Sequence, residues 1–141
     1  MVPLLRRVTA CATAVNDMTR CTEELHRLRV AAKPLRYTLE LLAPLYDRAF
    51  RMQYERVRAA VQQLGDVHDL DVMVAAVRTQ RAELRLYNRT VPETRRIPTA
   101  TLDRLVTDAR QRRSTLVTGL AESIAWWQNE TFVRDILDTV C

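Results

Sequence analysis

Leu25-His26-Arg27-Leu28-Arg29-Val30-Ala31-Ala32-Lys33-Pro34-Leu35-Arg36-Tyr37-Thr38-Leu39-Glu40 reads as one helix with two faces. Leu25, Leu28, Ala32, Leu35, Leu39 and Leu42 recur at steps of three and four, the spacing of a core-facing stripe. His26, Arg29, Lys33, Arg36, Tyr37 and Glu40 form a second stripe, about a third of a turn away at ~100° per residue. Four potential cations therefore share one helix edge, with a carboxylate at its end. Ion-pair lacing of a solvated helix would alternate the signs along such a line. From the residues alone, two readings stand. The edge is a solvated charged face, or it is a ladder of donors that holds something negative, a polymer of phosphates better than a single one.

Outward from this helix, the whole chain reads as α-helical. It has 141 residues, 48% of them apolar, with only 2 Gly and 5 Pro. That is enough for one helical domain spanning 1–141 with a real core, and too apolar for disorder. A first helix is expected over 3–16, broken at Asn16-Asp17. Thr22 followed by Glu23 and Glu24 marks the start of the second, about 22–43, through an N-cap hydroxyl and acids in the first turn. Pro34 in its interior removes the bond to the Val30 carbonyl and should kink it. A third helix is expected over about Asp47–Leu64 and closed by Gly65, with a fourth capped by Asp66 or Asp69. Residues 88–100, with Pro92 and Pro98, read as the one long loop. A last long helix starts at Thr101, with a possible bend at Gly119, and a short terminal helix follows Glu130. Helices joined mostly by short turns give an antiparallel bundle.

Net charge is +5, and Lys33 is the only lysine, so almost all the positive charge is arginine. Arginine's planar fork matches phosphate and carboxylate oxygens. Cys11, Cys21 and Cys141 make no disulfide framework. The chain contains no nucleophile elbow, P-loop, dinucleotide-binding glycine pattern or paired-carboxylate site. Trp126-Trp127 and the few tyrosines do not alternate with the basic stripe, which argues against a single-strand nucleic-acid platform. His68, Asp69 and Asp71 lie on a short stretch without metal-site spacing, so no metal and no cofactor are expected. No apolar run reaches membrane-spanning length and the N-terminus lacks signal-peptide features, so a cytoplasmic, non-membrane protein is expected.

Leu25-His26-Arg27-Leu28-Arg29-Val30-Ala31-Ala32-Lys33, with Leu35-Arg36-Tyr37 and Leu39-Glu40, resembles the signature helix of the CHAD family, the conserved histidine α-helical domain. Gln63-Leu64-Gly65-Asp66-Val67-His68-Asp69-Leu70-Asp71-Val72 is similar to that family's second motif. The resemblance covers roughly residues 22–75. Pro34 departs from it where the family usually has another basic residue, and His68 where it usually has asparagine. The resemblance implies an all-α bundle that binds inorganic polyphosphate, sometimes in polyphosphate bodies, and since the residues assemble no base, nucleophile or metal site, a non-catalytic role is expected. His26, Arg29, Lys33 and Arg36 are then the binding residues, and Tyr37, Glu40 and Asp69 support them. The family normally pairs two such bundles. This chain carries one signature, which leads to the expectation of a homodimer. Two other functions stay open: an adaptor for a partner protein such as a phosphatase domain, and a metal-dependent phosphohydrolase using His26, His68, Asp69 and Asp71.

Overall fold

The computed structural model describes residues 1–15, 22–129 and 131–140. Helices α1 (Val2–Thr13), α2 (Thr22–Leu42), α3 (Arg48–Thr90), α4 (Ala100–Gln128) and α5 (Thr131–Leu137) account for nearly all of them, and there is no strand among the described residues. The all-α expectation holds. The expected break at Asn16-Asp17 lies outside the described residues, as do Cys21 and Cys141.

Helices α1 to α4 pack as a ring in which each touches the next and α4 returns to α1, with α5 closing against α1 and α4. The apolar stripe of α2 is buried as its spacing requires: Leu28, Ala32, Leu35 and Leu39 are fully enclosed. They meet Leu5 and Val8 of α1, Phe50, Val57 and Leu64 of α3, Leu120 and Trp127 of α4, and Phe132 and Ile136 of α5. Each of the larger aliphatic and aromatic side chains contributes about 1.5–3 kcal/mol on burial, and no polar or charged residue is buried among the described residues. The ends are fastened by polar contacts. Asp47 caps α3 by accepting from the Phe50 N–H at 3.1 Å. Gln128 Nε2 donates to the Ala12 carbonyl at 2.9 Å, tying α4 to α1. Helix α2 continues through Pro34, whose own carbonyl accepts from the Thr38 hydroxyl at 2.9 Å.

The main departure from the sequence reading is α3. It runs 43 residues without interruption, about 65 Å at 1.5 Å per residue. Gly65 does not close a helix, and neither Asp66 nor Asp69 opens one. No glycine among the described residues has a positive φ, the conformation that a glycine C-cap uses. An interior glycine costs only about 1 kcal/mol relative to alanine, and packing of α2 and α4 on either side of α3 outweighs it. Likewise α4 is continuous through Gly119.

Because α3 is so long, its C-terminal half leaves the bundle. Beyond Val67 no described residue of α3 is buried, and in the first half of α4 only Val106 and Ala109 are. Residues from about 72 to 112 thus form a two-helix arm. Arg81 and Asp103 pair across it at 2.8 Å. At its tip the loop is shorter than 88–100, because α3 continues to Thr90. Asn88 clamps this loop by exchanging two 2.8 Å hydrogen bonds with the Ile97 backbone. At its base Arg113 Nε donates to Asp71 at 2.7 Å and Nη2 to the Thr22 hydroxyl at 3.3 Å, which sets the start of α2 level with Asp71.

Candidate functional site

His26, Arg29, Lys33 and Arg36 lie along the edge of α2 that borders α3, each half-buried. Helices α2 and α3 are joined by a short turn and run antiparallel, so residues climbing one descend the other. His26 meets His68, their ring centroids 4.9 Å apart. One turn further along, Arg29 Nε lies 3.9 Å from where a Cβ on Gly65 would stand. The glycine read as a helix stop therefore lies beside a basic side chain.

The four cations differ in their partners. Arg36 donates to Glu40 at 3.2 Å, and its guanidinium carbon lies 4.8 Å from the Tyr37 ring centroid. Arg29 and Lys33 have no hydrogen bond or ion pair among the described residues. The buried Nδ1 of His26 has no hydrogen-bond partner there either. Across from Arg36, Arg58 projects from α3. Its pKa is raised by the hydrogen bond it donates to Glu55 and by the charges of Glu55, Tyr54 and Glu40, so Glu40 acts on cations of both helices. Arg27 lies off this edge and pairs with Glu23 in solvent. The result is a row of guanidinium, ammonium and imidazole donors beside a helix–helix seam, suited to a linear anion.

Tyr37 and Glu40 extend the row at its Arg36 end. Asp69 does not join it. It lies on the other side of α3, where Asp66, Asp69, Leu70, Met73, Arg112 and Leu116 border a depression of about 550 Å³ between α3 and α4. An uninterrupted helix turns Asp69 away from α2, whereas a turn at Gly65 would have left its direction open. His68 and Asp71 do approach His26, around a small crevice shared with Thr22 and Leu25. Among the described residues no three His, Cys, Asp or Glu side chains are grouped to hold a metal. No helix among them is long and apolar enough to cross a membrane.

The CHAD domain family matches residues 3–78, slightly more than half of the chain. The chain belongs to the CHAD domain family. Comparisons with curated proteins and with solved structures return no match. CHAD is a helical domain linked to polyphosphate binding, and the match contains both α2 and the Gly65–Asp71 stretch of α3. It ends at residue 78, within the first turns of the arm. The arm carries arginines outside the signature helix, at Arg78, Arg81, Arg85 and Arg89 on α3 and Arg110 on α4. Their sequence signal is a basic repeat at steps of three and four, and its meaning depends on α3 being unbroken.

Proposed function

We propose that this CHAD protein is a non-catalytic binding module for inorganic polyphosphate or a similar linear polyanion, held by His26, Arg29, Lys33 and Arg36. The observation that carries this reading is the line of four cations on one helix edge, of which Arg29 and Lys33 have no anionic partner among the described residues. Attraction is electrostatic, so affinity falls as salt rises. A polyphosphate mobility-shift assay across a salt series tests it. R29A/R36A should lose most binding with helicity unchanged, and R27A should bind as wild type does. Equal binding by wild type and R29A/R36A would refute the assignment.

We also propose that two copies associate beside this edge. Val30, Tyr37 and Leu41 share the flank of α2 next to the cations and are exposed at 43%, 49% and 78%. An apolar contact there would bring two basic edges across one groove, and a polyanion between them would tighten the dimer by linkage. Sedimentation with and without polyphosphate measures this. A monomer in both conditions that still binds tightly would rule it out. A cytoplasmic setting is compatible with a ligand held by charge alone.

A further inference from the structure

The core-facing stripe of α3 changes character where the bundle ends. Within the bundle it reads Val57, Ala60, Leu64 and Val67, all buried. Continued at the same helical spacing, it reads Asp71, Val74, Arg78, Ala82, Arg85 and Arg89. Asp71 is the point at which α2 begins, so beyond it this face of α3 has no α2 to cover it. Three exposed arginines stand on it where the bundle half carries only apolar residues.

Four arginines of α3, Arg78, Arg81, Arg85 and Arg89, border a furrow of about 350 Å³ whose remaining lining is Ala82 and Leu86. No acidic residue stands three or four places along α3 from any of them. Like charges at that spacing destabilise a helix, so the arrangement is unfavourable for a merely solvated face. Arg81 is paired with Asp103. Arg78, Arg85 and Arg89 have no hydrogen bond or ion pair among the described residues. The furrow joins a second one, of about 370 Å³, through their shared Arg78, and there Arg110 of α4 adds another cation. That second furrow shares Thr22 and Asp71 with the crevice beside His26. The furrows thus begin near the His26 end of the α2 edge, with Thr22 and the Asp71–Arg113 pair between, and run onto the arm. From His68, beside His26, to Arg89 is about 31 Å along α3 at 1.5 Å per residue.

We propose that Arg78, Arg85, Arg89 and Arg110 form a second anion site that takes the continuation of a polyphosphate chain held on α2, so that this protein selects long polymers over short ones. This rests on the polyphosphate reading given above and extends it to residues of which only Arg78 lies within the CHAD match. Phosphate alone, without bases, fits the lining because no aromatic ring borders either furrow for a base to stack on.

The test compares wild type, R78A/R85A/R89A and R29A/R36A for binding of long-chain polyphosphate and of tripolyphosphate, which is too short to reach from α2 to the arm tip. The three arm arginines are exposed, and circular dichroism checks that helicity is kept; R85Q/R89Q, at the outer end of the arm, should shift binding in the same direction by less. The arm variant should bind the long polymer about tenfold more weakly at low salt, three exposed charge contacts at their usual modest strength. Its salt slope should shrink by about 2, at ~0.7 per phosphate contact on a flexible strand, and its tripolyphosphate binding should fall by less than its long-polymer binding. Long-polymer binding and salt slope equal to wild type in the arm variant would overturn this inference, and loss in R29A/R36A alone would do so while leaving the α2 reading intact. Loss in the arm variant with none in R29A/R36A would support the arm site and remove the α2 reading. Equally tight, arm-dependent binding of single-stranded RNA would overturn the choice of polyphosphate.

Discussion

The imidazoles of His26 and His68 face each other across the α2–α3 seam with centroids 4.9 Å apart, and the buried Nδ1 of His26 has no hydrogen-bond partner among the described residues. The charges bordering this crevice are Asp71 and, bound to it, Arg113. The ring nitrogens of His26 are therefore the donors that this end of the basic edge offers to an anion. H26F keeps a ring and removes both nitrogens, and it should weaken polyphosphate binding by about two- to tenfold, the effect of one lost hydrogen bond. Isothermal titration measures this, and binding equal to wild type in H26F would take His26 out of the binding edge.

Glu40 competes with any anion for Arg36, which it holds at 3.2 Å, and it also acts on Arg58. E40Q should raise polyanion affinity by about two- to fivefold, as expected for releasing a partly exposed pair. Isothermal titration of E40Q against wild type checks this, and weaker binding in E40Q would show that Glu40 positions Arg36 for the ligand.

G65A distinguishes a continuous helix from a turn. In the helix, a Cβ at Gly65 meets nothing closer than Arg29 Nε at 3.9 Å, an ordinary contact. The substitution should then stabilise the protein by about 0.5–1 kcal/mol, read from urea unfolding. At a left-handed helix cap the same change would destabilise.

Trp127 is fully enclosed and packs near Phe132, with ring centroids 6.5 Å apart. W127A should cost about 3–5 kcal/mol. W127F should cost much less, since the buried indole N–H has no partner among the described residues to lose. Equal costs for the two variants would show that the N–H matters more than the ring.

The stripes of α2 were legible because both faces repeat at helical spacing within one uninterrupted segment. The boundary at Gly65 was misleading for a local reason. Glycine followed by aspartates carries the usual marks of a stop and a start, and only contact with α2 and α4 decides that the helix continues. Asp69 followed from that error: its direction depends on the helix phase through Gly65. The arm arginines were hidden the same way. Arg78, Arg85 and Arg89 become the continuation of the Leu64–Val67 face only when α3 is known to be one rod. Trp126 and Trp127, by contrast, stand apart from the basic stripe in the sequence as in the structure, where both are buried.

The length of α3 also divides the molecule by how firmly its backbone amides are held. Its first half carries every buried residue of the helix, from Phe50 to Val67, while the half in the arm carries none. Amides of the arm should open without global unfolding and exchange with solvent deuterium far sooner than those of the bundle, because local opening costs less where few apolar contacts are broken. One continuous helix would then report two protection regimes, with the change falling near the Asp71–Arg113 pair.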